Sequence, residues 1–170
     1  MDFKAIIRDI PDFPREGIIF KDITTLLKDA KAFQEAMGKM IEHYRDYDID
    51  YIAAIEARGF IIGTPMALEL GKGFIPIRKP GKLPAETISV SYDLEYGSNR
   101  IEMHKDAIKP GDKVLLIDDL LATGGTIKAA VELIEKLGGE VVGIGFLLEL
   151  QFLKGREKLK GYDIFSLLQE

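Results

Sequence analysis

Residues Val114-Leu-Leu-Ile-Asp118-Asp119-Leu-Leu-Ala122-Thr123-Gly124-Gly125-Thr126 join an unbroken apolar run to a carboxylate pair, then to a string of small and hydroxylated residues. A run of that kind suits a strand buried on both faces of a parallel sheet. The string that follows opens a helix over Thr126–Leu137, closed by Gly138 and Gly139, and Val141–Leu148 reads as the next strand. In an open α/β sheet, ligands bind beyond the carboxyl ends of the strands, where this segment places Asp118 and Asp119. Small side chains at Ala122–Thr126 let the backbone approach a phosphate, whose charge is met by unpaired N–H groups and the helix dipole. Thr123 and Thr126 add hydroxyl donors. Two adjacent carboxylates cannot face that phosphate without repulsion; they suit ribose hydroxyls, a Mg²⁺ ion or a developing positive charge.

Working outward, Tyr51–Ile55, Phe60–Leu70 and Gly73–Arg78 repeat the strand–helix–strand order, with Gly71 stopping the helix. The chain is therefore expected to be α/β, an open and mainly parallel twisted sheet flanked by helices, with right-handed crossovers. Phe3, Ile6, Ile7 and Ile10 predict a short amphipathic helix ended by Pro11, and Phe33, Met37, Met40, Ile41 and Tyr44 predict one over Ala32–Tyr44. Asp12–Gly17 leads to an extended piece at Ile18–Phe20. Ile88, Val90, Tyr92 and Leu94 alternate with polar residues as in a half-exposed strand. The segments Phe13–Phe20 and Glu149–Phe165 are expected to form a small cap over the sheet. No repeat or linker divides the 170 residues, so one domain over 1–170 is expected.

Composition excludes several classes. The chain has no cysteine, which removes disulfides, thiol catalysis and thiolate metal sites, and two histidines, His43 and His104, in no ligand spacing. A net charge of −5 argues against a general nucleic-acid binder. No apolar run approaches the ~20 residues of a membrane span, and the first residues form no signal peptide. A cytoplasmic protein with no membrane or nucleic-acid partner is expected. A receiver domain would carry its acid pair on the first strand, and a P-loop would need Gly-Lys-[Ser/Thr], which does not follow here.

Val114–Thr126 resembles the phosphoribosyl pyrophosphate (PRPP) motif of type I phosphoribosyltransferases. Phe13–Thr24, Glu56-Ala-Arg-Gly-Phe60, Arg78–Pro84, Tyr92-Asp-Leu-Glu-Tyr-Gly97 and Lys154–Lys158, in that order, resemble the adenine-using branch of that family over nearly the whole chain. Two positions depart from it: Lys21 stands where many relatives have Arg, and Thr25 where bacterial relatives often have Pro. The resemblance implies a reaction of adenine with PRPP to give AMP and pyrophosphate, with Mg²⁺ bound mainly through the diphosphate, in a homodimer serving purine salvage. Orotate- and oxopurine-using relatives differ at Phe20–Thr24. A PRPP-sensing regulator would need an added nucleic-acid-binding domain.

The resemblance also implies roles. Asp118 and Asp119 would hold the ribose hydroxyls, and Ala122, Thr123, Gly124, Gly125 and Thr126 would cradle the 5′-phosphate. Arg58, with Arg78, Lys79 and Lys82, would surround the diphosphate. Residues 85–105 resemble a flexible hood that closes over PRPP, with Tyr96 among its PRPP contacts and Glu95 as general acid/base for the purine proton. His104 is a rival base, although its alternation with Ile101 and Met103 suits an exposed strand position. The purine would lie between Phe20 and Leu150, read along its amino edge by the backbone of Ile19 and Lys21, with Glu149 supporting the pocket. His43 reads as a surface or packing residue.

Overall fold

The hydrophobic pattern resolves into one five-stranded parallel sheet in a computed structural model that describes residues 1–94 and 97–170. The strands are β3 (Tyr51–Ile55), β4 (Gly73–Ile77), β7 (Lys113–Leu121), β8 (Glu140–Glu149) and β9 (Ile164–Gln169), in the order β4-β3-β7-β8-β9. Alternate side chains of β3 and β7 face opposite cores, as the pleat requires. Ile52, Ala54, Leu115 and Ile117 pack with α2 (Thr24–Lys28), α3 (Ala30–Tyr44) and α4 (Arg58–Leu70). Ala53, Ile55, Val114 and Leu116 pack with α5 (Gly125–Lys136) and with the hairpin β5 (Thr87–Asp93) and β6 (Ser98–His104). Burial on both faces explains why the β7 sequence is apolar without alternation.

Register then sets the position of the site. Ile55 pairs with Ile77 on β4, and Ala54 with Ile117 on β7. Glu56, Arg78 and the Asp118–Asp119 pair therefore emerge at one edge of the sheet, the carboxyl edge.

Four expectations need correction. The N-terminal helix is only α1 (Phe3–Ile6), capped by the Asp2 carboxylate; beyond it Arg8–Pro11 is an extended strand, β1, paired antiparallel with β2 (Ile19–Asp22). Strand β7 does not stop at Ile117 but runs through both aspartates, because pairing with β8 continues from Asp118↔Phe146 to Leu121↔Glu149. Helix α3 starts at Ala30, two residues early, since the Asp29 carboxylate accepts from the Lys31 and Ala32 amides at 3.0 and 3.1 Å. The C-terminal segment is not simply a cap. It makes two 3₁₀ turns, Gln151–Leu153 and Gly155–Leu159, and returns as edge strand β9. Lys21 on β2 reaches the C-terminal residue: its Nζ lies 2.5 Å from Glu170 Oε2.

Candidate active site

Gly59 is the residue that allows α4 to start where it does. A Cβ at this position would lie 2.9 Å from Asp118 Oδ1 and 3.3 Å from the Ile117 carbonyl, so only glycine lets the helix mouth press against β7. The contact brings Arg58 to the aspartates: Arg58 Nε is 2.7 Å from Asp119 Oδ2. Its guanidinium carbon sits 5.4 Å from the Phe20 ring centroid, a cation–π distance. Asp119 is buried, and the half-buried Asp118 accepts from the Asp119 amide at 2.9 Å. Burial, then the neighbouring Asp119 charge, pushes the Asp118 carboxyl well above the ordinary carboxylate value.

The loop after β7 is shaped by a second glycine contact, one that the sequence reading missed. Gly124 has φ +86° and begins α5 with no side-chain cap, leaving its first amides open to a ligand. Behind it lies the C-terminal 3₁₀ turn: a Cβ on Gly124 would meet the Gly155 carbonyl at 2.6 Å, and one on Gly155 would meet the Ala122 carbonyl at 2.5 Å. The two backbones thus touch with no room for a methyl group on either. Arg58, both aspartates and Leu120–Ile127 line a cleft of about 180 Å³.

An adjoining cleft of about 300 Å³ is lined by Glu56, Arg58, Lys79, Tyr92, Asp118, Asp119 and Thr126, among others. Here the sequence reading left Glu56 without a role, although its place directly after a buried strand is the signal for one. Its side chain is 8% exposed and gathers three of the expected cationic residues. Oε2 receives Arg78 Nε and Nη2 at 3.2 and 3.1 Å and Lys82 Nζ at 3.0 Å, while Oε1 accepts from the Lys79 amide at 2.6 Å. Burial opposes ionisation of Glu56, but these donors outweigh it and hold the carboxyl below its ordinary value.

The β5–β6 hairpin borders the far side of this cleft through Tyr92 and Ile101. Arg78 and Glu102 exchange backbone hydrogen bonds, and Glu102 also accepts from the Gly81 amide and the Thr87 hydroxyl, each at 2.8 Å. Tyr92, to which the sequence reading gave no contact of its own, receives the Thr126 hydroxyl at 3.1 Å and so links the β5–β6 hairpin to the start of α5. His104 is half-buried on β6 rather than exposed, and its Nε2 accepts from the Ala85 amide at 3.4 Å. Glu95 and Tyr96 lie outside the described residues.

The expected purine contacts are more dispersed. Phe20 joins the site through Arg58, with Phe13 packed edge-on to it at 5.1 Å. Ile19 is 58% exposed, and the Lys21 ammonium is turned to Asp9 and Glu170. Leu150 is buried, its amide bonded to the Leu121 carbonyl at 2.9 Å. Glu149 holds Arg156 through two bonds of 2.7 and 2.8 Å and accepts from Ser166 at 2.6 Å. His43 stacks on Phe165 at 3.9 Å, a packing role.

Among the described residues no cluster of three or more His, Cys, Asp or Glu side chains is placed to hold a metal ion. The aspartate pair offers oxygen donors at the cleft floor. This suits a hard cation that arrives already coordinated by a diphosphate and water.

The match to known proteins extends over the whole site. Residues 22–167 match the phosphoribosyl transferase domain. The adenine phosphoribosyltransferase of Halothermothrix orenii is 73% identical over 170 residues, covering 100% of both chains. The crystal structure of adenine phosphoribosyltransferase from Thermoanaerobacter pseudethanolicus agrees with a TM-score of 0.97 at 57% identity, over 99% of this chain and 98% of that one. The Saccharomyces cerevisiae enzyme, crystallised with an imino-altritol bisphosphate and adenine, gives a TM-score of 0.92 at 42% identity, over 98% of this chain and 97% of that one. With sequence and fold in agreement from end to end, the chain belongs to the phosphoribosyl transferase family, in its adenine phosphoribosyltransferase branch.

Proposed function

We propose that the carboxyl edge of the sheet carries out the family reaction with the division of labour given below. The enzyme transfers the 5-phosphoribosyl group of PRPP to adenine, giving AMP and pyrophosphate. The bond from the anomeric carbon to the diphosphate oxygen breaks, a bond from that carbon to purine nitrogen forms, and the nitrogen's proton passes to a base.

The observation that carries the proposal is the convergence of anion-binding and cation-stabilising groups on adjoining clefts. The amides and hydroxyls of Ala122–Thr126 take the 5′-phosphate at the mouth of α5. Asp118 and Asp119 take the ribose hydroxyls and stabilise the positive charge that develops on the sugar. Arg58 turns from Asp119 to the diphosphate, where a guanidinium binds two oxygens at once, and Arg78, Lys79 and Lys82 complete the cationic side. Mg²⁺, held by the diphosphate with Asp118 and Asp119 as protein oxygens within reach, would neutralise charge on the leaving group.

Once Arg58 has turned, the Phe20 face receives the purine, with Leu150 opposite and the backbone of Ile19 and Lys21 at the amino edge. Glu95, in the hood turn, takes the purine proton, and Tyr96 contacts PRPP. Tyr92 bonded to Thr126 supports this reading, since it brings the hood to the phosphate loop. The reading extends to a cytoplasmic homodimer serving purine salvage, which family membership supports. No helix among the described residues is long and apolar enough to cross a membrane.

The test is turnover of adenine, hypoxanthine, guanine and xanthine with PRPP and Mg²⁺. Adenine is expected to exceed each oxopurine by ~10⁴ in kcat/KM, because a site bonded to an amino edge leaves polar groups unpaired against an oxo edge. Equal turnover of hypoxanthine would refute the base assignment.

A further inference from the structure

The cation cluster around Glu56 is built around a residue that has no charge complementarity to any substrate. Arg78, Lys79 and Lys82 lie at the end of β4 and in the loop that follows, and nothing in a free loop would fix such long side chains. One carboxylate fixes two of those side chains, Arg78 and Lys82, and the backbone at Lys79. Oε2 takes the Arg78 and Lys82 side chains and Oε1 the Lys79 amide, so both Glu56 oxygens are already engaged and its side chain is nearly sealed from solvent. Its partners are not sealed: the side chains of Arg78 and Lys82 are 34% and 47% exposed. Lys82 uses one of three ammonium protons on Glu56, and Arg78 uses Nε and Nη2, leaving Nη1 without a bond among the described residues.

We propose that Glu56 is a positioning residue for leaving-group binding: it gathers the Arg78 and Lys82 side chains at one point and ties the loop to it through the Lys79 amide, so that the diphosphate of PRPP meets an ordered pair of cations. This inference rests on the reading of the site given above. Glu56 touches no substrate, since a carboxylate facing a diphosphate would repel it. It acts through the cations, whose ordering is complete before binding. The loop backbone has two anchors besides the Lys79 amide, the Arg78–Glu102 backbone pair and the Gly81 amide bonded to Glu102.

The test is Glu56→Gln, which keeps shape and removes the charge, read by four constants. Kd for pyrophosphate in direct titration and KM for PRPP are expected to rise about tenfold, the loss of one charge-assisted arrangement. In the same variant kcat at saturating PRPP should stay within about threefold, and Kd for AMP, which has no diphosphate, should not move. A residue needed only for folding would shift AMP binding as well. Unchanged or tighter pyrophosphate binding would overturn the proposal. Should Glu56→Gln fail to fold, Glu56→Asp decides: its carboxylate is drawn back by one methylene, and pyrophosphate Kd should rise about threefold, while an unchanged value overturns the proposal equally. Absence of adenine turnover in the wild-type enzyme would instead count against the proposed reaction, and the pyrophosphate titration can be read without it.

Discussion

Arg58 Nε lies 2.7 Å from Asp119 Oδ2 while the same guanidinium covers the Phe20 ring at 5.4 Å, so one side chain links the places proposed for ribose and purine. Release of that side chain to the diphosphate frees both at once. Arg58→Ala is therefore expected to lower kcat/KM for PRPP by ~10²–10³, the usual cost of removing one donor from a charge-stabilising site. Arg58→Lys should recover only part of this, because an ammonium neither forks across two oxygens nor lies flat on a ring. Steady-state kinetics with PRPP varied at fixed adenine gives the answer.

The contact between Gly124 and Gly155 predicts damage at a distance. Gly155→Ala places a methyl group 2.5 Å from the Ala122 carbonyl, so the loop after β7, proposed to take the 5′-phosphate, must shift. AMP affinity should fall at least tenfold, with a loss of stability of about 1–3 kcal/mol, the cost typical of a forced local backbone change. Calorimetric titration with AMP and a thermal melt measure the two effects. An unaltered AMP Kd would mean that the C-terminal turn does not shape the loop.

Tyr44 is the largest fully buried side chain, and its hydroxyl has no hydrogen-bond partner among the described residues. An unpaired buried hydroxyl costs about 1–3 kcal/mol, so Tyr44→Phe should stabilise the fold by about 1 kcal/mol with no change in kinetics. Chemical denaturation of both proteins checks the sign.

Asp22 gives a pH dependence. Hydrogen bonds from the Thr24 hydroxyl, then from Arg8 and the Thr24 amide, lower its carboxyl from 3.8 to about 2. A lowered folded-state value means that the contribution is fully present above pH 3.8 and is lost as pH falls towards 2. Asp22→Asn, neutral throughout, should be less stable than wild type at pH 6 by about 1–2 kcal/mol, and the gap should narrow through that acid window. Urea midpoints at pH 6, 4 and 2.5 test it; a gap that does not change with pH would exclude the carboxylate as its origin.

What could be read from the chain in advance follows the range of the forces involved. Strand β7, helix α5 and the loop between them announce themselves locally, through an unbroken apolar run and a glycine pair. Strand β1 has four residues, Arg8–Pro11, with little apolar signal, and exists because β2 lies beside it. Strand β9 is likewise fixed by its register with β8, from Ile144↔Ile164 to Glu149↔Gln169. The same limit applied at the site. Residue types pointed to Arg58, both aspartates and Ala122–Thr126, but the convergence on Glu56 joins residues 23 and 26 positions apart, and the Gly155 contact joins segments that only the complete sheet brings together. Local spacing places Glu56 at the end of a buried strand but does not show which residues meet there, and it carries no trace of the Gly155 contact.

The placement of Gly155 against Ala122 and Gly124 bears on how the enzyme is born. When the ribosome has made residues 114–126, every amide proposed to take the 5′-phosphate already exists, yet the wall those amides lean on is still some thirty codons away. A nascent chain halted before residue 155 would carry the whole segment proposed to bind the nucleotide's phosphate and lack the support that holds it in shape. Competence therefore arrives late in synthesis, as the C-terminal turn docks and β9 closes the sheet.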